Sequence, residues 1–141
     1  MKISSKGLYA LEAMTNLARH YKERPTKIHE IARTERIPEK FLELILLDLK
    51  NARLVESQRG AHGGYRLRRR PGRIFLGEII RSIDGPLAPM GDAESLRRLV
   101  KQDKKHSALY RVLLDVRNAA AGILDHTSLA DLRGVSGRAS S

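Results

Sequence analysis

The chain contains no cysteine among its 141 residues. Disulfide bonds, thiol catalysis and thiolate-bound metal sites are therefore excluded for this chain. Its histidines show neither the HxxxH nor the HExxH spacing of metal ligands, and we expect no metal or other cofactor; they are His20, His29, His62, His106 and His126. Aromatic residues make up only 4% of a sequence that is 41% hydrophobic, so the core must consist mainly of aliphatic side chains, which suits packed helices.

Long apolar runs are also absent. No stretch approaches the roughly 20 apolar residues that a membrane span requires. The N-terminal segment MKISSKGLYALEAM is interrupted by charge before an apolar run can develop, so we expect no signal peptide. These features predict a cytoplasmic protein that makes no contact with a membrane.

Acidic residues are scarce in the first half of the chain. Residues 1–73 contain 17 Lys and Arg against 8 Asp and Glu, a net charge of +9, whereas residues 74–141 contain 10 against 8, a net of +2. Duplex DNA is the commonest partner of such a basic region, because binding releases condensed counterions. A membrane surface or ribosomal RNA would suit the same excess of charge.

The first 53 residues have the pattern of three helices. Ser4 and Ser5 can cap a first helix, which should end before Pro25. Its apolar face is predicted at Leu8, Leu11, Met14, Ala18 and Tyr21.

The second and third helices follow closely. Thr26 is predicted to cap a helix over Lys27–Thr34, residues 35–37 to form a tight turn, and Pro38 to open a helix that ends near Asn51. The third helix is apolar at Phe41, Leu42, Ile45, Leu46 and Leu49. A short helix, a three-residue turn and a longer helix form the helix-turn-helix pattern.

A β-hairpin is predicted directly after the third helix. Residues 54–58 and 65–67 have strand patterns, and residues 59–64 form a glycine-rich turn. Residues 59–73 contain six arginines and no acid. A hairpin at this place, next to a helix-turn-helix, is a wing.

The remaining chain is predicted to be helical at two places. A fourth helix covers residues 76–83 and ends at Asp84-Gly85-Pro86, and residues 86–105 form a polar loop with one helical turn around 95–100. A long helix then carries a heptad seam suited to dimerisation, at Leu109, Val112, Val116, Ala119 and Ile123. One further turn is expected at residues 129–132, and residues 134–141 are expected to be disordered.

The predicted fold is thus mainly α with a small β-hairpin wing. Residues 1–73 form a winged helix-turn-helix DNA-binding domain. Residues 74–133 contain the linker helix, a sensor-type loop and the dimerisation helix.

Five segments of the chain resemble the Rrf-type winged-helix regulators, the family of IscR, NsrR and CymR. They are SSKGLYALEAM, IHEIARTERIPEKFLELILLDLKNARLV, RGAHGGYRL, FLGEIIRSIDGP and LDHTSLADL. The resemblance implies a dimer formed by the long C-terminal helix, the third helix in the major groove and the wing in the minor groove. Many members hold an iron–sulfur cluster on three cysteines in the loop before the dimerisation helix. This chain has none, and it resembles the cluster-free branch typified by CymR.

Arg53 is a second departure from the family, whose members often have glycine there. We expect either a left-handed arginine, at a cost of about 1 kcal/mol, or a slightly different turn. Its side chain would add a cation near the phosphates.

The candidate DNA-binding residues belong to four groups. Arg59 is expected to enter the minor groove from the wing tip, which Gly60, Gly63 and Gly64 keep narrow. Lys40 suits a guanine or a phosphate, Glu43 suits cytosine, and Glu39 shares their outward face. Ser4, Ser5, Lys6 and Arg36 are candidates for phosphate binding.

Three residues have two interpretations each: His62 contacts phosphate or is merely exposed, Tyr65 bonds a phosphate or packs the wing, and Phe41 belongs to the core or touches a sugar.

The sequence therefore predicts a regulator, most simply a repressor, that binds a pseudo-palindromic operator as a homodimer. The alternative is a cluster-free adaptor whose main activity is to bind a protein partner or a small-molecule effector. No nucleophile constellation or phosphate-cradling loop points to an enzyme.

Overall fold

The computed structural model describes residues 2–87 and 92–132 and confirms a mainly helical fold with one β-hairpin. The helices are α1 (Ser5–Arg19), α2 (Ile28–Glu35), α3 (Glu39–Asn51), α4 (Leu76–Asp84), α5 (Ala93–Gln102) and α6 (Ser107–Asp125), with a 3-10 turn at Pro71–Arg73. Strands β1 (Val55–Gln58) and β2 (Gly64–Leu67) pair in antiparallel register. Residues 134–141, predicted to be disordered, lie outside the described part of the chain.

The helix α1 begins as predicted, and Met14 and Ala18 of its predicted apolar face are buried, but Leu8 is not. Ser4 is its N-cap and accepts a hydrogen bond from the amide of Gly7. The side chain of Leu8, predicted to face inward, is 52% exposed. The buried face also contains three residues that were not predicted, Ala10, Ala13 and Leu17, and the two alanines allow neighbouring helices to approach closely.

The helix-turn-helix forms as predicted, with small shifts at its boundaries. The helix α2 ends at Arg36, whose backbone adopts left-handed angles (φ 57°, ψ 47°) and turns the chain sharply. Pro38 is the N-cap of α3 rather than its first residue. The helix α3 packs on the core through Leu42, Ile45, Leu46 and Leu49, all fully buried.

The main core extends beyond the predicted domain boundary at residue 73. Ile74, Ile79 and Leu129 are buried in the same cluster as the residues of α1, α2 and α3. Backbone hydrogen bonds join the start of α4 to the residues that follow α6, from Leu76 N–H to the Thr127 carbonyl (2.9 Å) and from Leu129 N–H to the Ile74 carbonyl (3.0 Å). Residues 129–132 form the further helical turn that the sequence predicts. The division of the chain at residue 73 stays a prediction.

The prediction of a loop with a single turn for residues 86–105 was wrong. This segment contains α5, a helix of 10 residues capped by Asp92, whose carboxylate accepts a bond from Ser95 N–H at 2.8 Å. Ala93 and Leu96 are the buried residues of α5, and the helix packs along α6. Most other residues of the segment are polar. The apolar stripe of α5 is therefore short, and the helix was predicted as a loop.

No helix in the described part of the chain is long and apolar enough to cross a membrane.

Candidate nucleic-acid interface

The outer face of α3 is charged at its N-terminal end. Glu39, Lys40 and Glu43 are all exposed there. Phe41 is half-buried, and its ring meets the ring of Tyr9 edge-on, with 5.6 Å between centroids. Of the two roles predicted for Phe41, packing is therefore the one supported by a contact.

The wing has an exposed tip that carries Arg59 and His62. Gly60 has a φ of 102°, a conformation that side chains disfavour. A Cβ on Gly63 would lie 2.1 Å from the Gln58 carbonyl oxygen, so only glycine fits in this turn. Within residues 2–87 and 92–132 no carboxylate pairs with Arg59, and its guanidinium is available to an anion.

The base of the wing is bonded to the loop that precedes α2. The amide of Tyr65 donates to the Thr26 carbonyl at 2.7 Å, and the amide of Thr26 donates to the Tyr65 carbonyl at 2.9 Å. A Cβ on Gly64 would lie 2.5 Å from the same Thr26 oxygen. The prediction of Thr26 as a helix cap was wrong, because α2 is preceded by Lys27 with no side-chain cap. These bonds fix the wing relative to the helix-turn-helix.

The arginines of the second wing strand and its continuation have different surroundings. Arg69 pairs with Glu78 of α4 at 2.9 Å and donates to the Arg73 carbonyl at 2.8 Å. Its charge therefore ties the wing to α4. Arg68, Arg70 and Arg73 are exposed and form no ion pair within the described residues.

The N-terminus of α1 already has an anion. The Ser4 amide donates to a carboxylate oxygen of Asp84 at 3.0 Å, and the Ser4 hydroxyl donates to the other oxygen. The same hydroxyl accepts from the Gly7 amide at 2.9 Å. Ser4 as a phosphate ligand is therefore corrected: its polar groups are satisfied, and the Asp84 carboxylate would repel a phosphate.

Lys6 also has a partner within the chain. Its ammonium nitrogen lies 2.6 Å from a carboxylate oxygen of Asp48 on α3, and both side chains are partly exposed. Lys6 therefore compensates an acid on α3, while Ser5 remains exposed beside it.

Two exposed arginines have left-handed backbones at the ends of helices. Arg36 follows α2 with a φ of 57°, and Arg53 follows α3 with a φ of 62°. Of the two expectations for Arg53, the left-handed conformation is the observed one. The backbone is strained at both positions, and each guanidinium extends from the helix-turn-helix into solvent.

The helix α6 exposes the face on which the heptad seam was predicted. The exposed fractions are 54% for Leu109, 56% for Val112, 48% for Val116 and 68% for Ile123, and Ala119 is exposed as well. The opposite face of α6 packs on α5 and α4, where Ala121 is buried. The seam residues therefore have no cover within the described chain.

The helices α4 and α6 are joined by a bidentate ion pair. The Arg81 guanidinium donates to both carboxylate oxygens of Asp125, at 2.6 and 2.8 Å. These hydrogen bonds hold the pKa of Asp125 below its ordinary value and raise the pKa of Arg81. A Cβ on Gly77 would lie 1.9 Å from the Asp125 carboxylate, so glycine makes room for the pair.

A cavity of about 310 Å³ lies beside this ion pair, between α4 and α6. Its lining includes Arg81, Leu87, Asp92 and Arg117. The Nε atom of Arg117 is buried and has no hydrogen-bond partner in the described structure.

Comparisons with known proteins match nearly the whole chain. The family model described as "Rrf2: Iron-dependent Transcriptional regulator" matches residues 3–134. The HTH-type transcriptional regulator CymR of Bacillus subtilis is 39% identical over 132 residues, which cover 94% of this chain and 89% of that protein. The structure of CymR, the global cysteine regulator of B. subtilis, has a TM-score of 0.78 at 38% identity, covering 96% of this chain and 98% of that one. The structure of T. potens IscR has a TM-score of 0.69 at 34% identity, covering 100% and 92%.

The residues of this chain do not fit the iron that the family description names. Thiolate ligands are excluded because the sequence has no cysteine. Among residues 2–87 and 92–132, no three His, Asp or Glu side chains come together as a metal site. His106 lies next to residues 86–105, the segment in which many family members carry the cluster cysteines. Its side chain is exposed, and its Nδ1 lies 3.1 Å from a carboxylate oxygen of Asp103.

Sequence reasoning missed two residues on the outer face of α3. Leu44 and Leu47 are exposed there, although both are large and apolar. The sequence contained the signal, because neither leucine belongs to the predicted apolar face of this helix, which consists of Phe41, Leu42, Ile45, Leu46 and Leu49.

Proposed function

The chain belongs to the Rrf2 family of DNA-binding transcriptional regulators, and on that premise we propose that it binds a pseudo-palindromic operator as a homodimer and represses transcription. The observation that carries the proposal is the exposed apolar seam of α6. Four of its five residues are large hydrophobic side chains about half exposed or more. Their spacing is that of a heptad repeat, which two helices bury against each other.

In the proposed complex, α3 lies in the major groove and the wing reaches the minor groove. Lys40 and Glu43 lie at the end of α3 that approaches base edges in helix-turn-helix complexes. Arg59 is the cation of the wing tip, and the narrow minor groove of A·T-rich DNA attracts such a guanidinium. The hydrogen bonds between Tyr65 and Thr26 support this role, because they hold the base of the wing against the loop that precedes α2.

The proposed dimer sets the spacing of the operator. Two recognition helices related by a two-fold axis contact half-sites about one helical turn, or roughly 34–36 Å, apart. A pseudo-palindrome with that spacing is therefore the expected product of selection from random DNA sequences. A selected pool with one unrepeated half-site would contradict the dimer, and a pool with no consensus would contradict sequence-specific binding.

The variant Val116→Glu tests the seam. A carboxylate at the centre of the seam should give a monomer by analytical ultracentrifugation and weaken operator binding steeply. Asn118→Glu is the matched control, since residue 118 is also exposed on α6 but lies about 200° around the helix from residue 116. Equal oligomeric mass for the two variants would remove the seam from the interface.

Repression is tested with a reporter gene that carries the selected operator over its promoter. Expression of the wild-type chain should lower the reporter signal, and Val116→Glu should restore it. A signal that rises with the wild-type chain would identify an activator.

A second candidate function is a regulator governed by a small effector or by a protein partner. The observation that favours it is the cavity of about 310 Å³ between α4 and α6, next to the unpartnered Arg117 Nε. Operator affinity measured with and without the small-molecule fraction of a cell extract tests the effector. Pull-down of a stoichiometric partner in the absence of DNA tests the adaptor.

A further inference from the structure

Two leucines on the outer face of α3 are more than half exposed in the part of the chain that the structure describes. The side chains of Leu44 and Leu47 are 56% and 53% exposed. The helix is held to the core by a separate set of fully buried residues, Leu42, Ile45, Leu46 and Leu49. Exposed leucine is unfavourable in water, so the pair is suited to contact with another molecule.

The two leucines lie among the side chains that the proposed function places at the bases. At about 100° per residue, Leu47 lies about 20° and Leu44 about 40° from Lys40 around the helix axis. Glu43 directly precedes Leu44, and Leu47 follows it by one turn. Any duplex that reaches Lys40 and Glu43 is therefore brought within reach of the leucines.

The charged side chains around the leucines disfavour an apolar protein surface as the partner. Lys40 and Lys50 are exposed on the same helix together with Glu39 and Glu43, and Lys6 compensates Asp48 at its flank. A protein partner that covered the leucines would have to desolvate these lysines, which are depleted from protein interfaces. The major groove instead offers phosphates to the lysines and one apolar group to the leucines, the C5-methyl of thymine.

We propose that Leu44 and Leu47 recognise thymine by apolar contact with its C5-methyl group, next to the base that Glu43 contacts. The proposal rests on the proposed function, because it requires α3 to lie in the major groove. It makes part of the operator specific for thymine through groups that form no hydrogen bond.

Uracil substitution tests the proposal. In the half-site obtained by selection, each thymine is replaced in turn by deoxyuridine, which lacks only the methyl group. At one or two positions the wild-type chain should bind about fourfold more weakly, the effect of burying one methyl group. Leu44→Ala and Leu47→Ala should each abolish the difference between thymine and uracil at their own position. Leu8→Ala, which removes an exposed leucine from α1, should leave every difference unchanged.

The outcomes separate this proposal from the function on which it rests. Specific binding with no loss at any deoxyuridine overturns the thymine contact and leaves the DNA-binding function intact. A difference that persists in the double variant with both Leu44→Ala and Leu47→Ala also overturns it, because another side chain then contacts the methyl group. An unchanged difference together with an altered oligomeric mass of the double variant shows that the leucines cover protein. If no DNA sequence is selected at all, the proposed function itself fails.

Discussion

Replacing Arg53 by glycine should stabilise the fold and weaken DNA binding at the same time. Arg53 has a φ of 62°, where the Cβ of an L-residue crowds the backbone. Relief of this strain is worth about 1–2 kcal/mol, and the greater freedom of glycine in the unfolded chain costs about 0.5–1 kcal/mol. The net gain is about 0.5–1 kcal/mol, or roughly 2–4 °C in Tm for a chain of this size.

Arg53→Ala is the matched control because it removes the guanidinium but keeps the Cβ and its strain. In thermal and urea unfolding, the glycine variant should be more stable than the alanine variant. Salt titration of operator binding should give both variants the same loss, with a salt slope smaller by about one phosphate contact. An alanine variant as stable as the glycine variant would refute the strain argument. An unchanged salt slope in both variants would show that Arg53 contacts no phosphate.

Three further changes have distinct expected results. Arg59→Ala should weaken operator binding and relax the preference for A·T at the minor-groove positions in selection from random DNA; the same consensus at the same affinity would remove Arg59 from the interface. Gly64→Ala should separate the wing from Thr26, and faster exchange of the amide protons that join them, together with lower DNA affinity, would report this; native exchange rates would contradict the close approach. Asp125→Asn should cost up to about 1 kcal/mol at pH 7, since the ion pair with Arg81 is partly exposed. Because the folded-state pKa of Asp125 is lowered, this contribution is present above pH 4 and is lost as the pH falls through the folded-state value. Urea unfolding of wild type and variant should therefore converge at low pH, and a difference that persists at pH 2 would assign it to another cause.

Periodicity and turn chemistry were enough to predict most helices and the hairpin. The apolar faces of α3 and α4 recur at helical spacing, and proline or glycine marks most of the boundaries between elements. Periodicity failed where the apolar stripe was thin, as in α5, whose buried residues are Ala93 and Leu96. It also misplaced Leu8, because α1 packs through alanines that a search for large apolar residues overlooks.

The wing tip could be predicted from sequence because its determinants are local. Gly60, Gly63 and Arg59 act within one turn, and the structure places all three as their spacing predicts. The roles of Ser4 and Lys6 could not be predicted in the same way. Their acidic partners are 80 and 42 residues away in sequence, and only the packing of α1 against α4 and α3 brings them together.

The helix α6 illustrates how one sequence pattern can serve two interfaces. Its apolar residues occupy more than half of its circumference, which is more than packing within the chain requires. Ala121 and Leu124 pack towards α4, whereas Val112, Val116 and Ile123 face solvent. Heptad spacing identifies the seam but does not distinguish a partner within the chain from a second copy. Exposure makes that distinction, because apolar residues of α6 that stay exposed in one chain form a face that is left for another molecule.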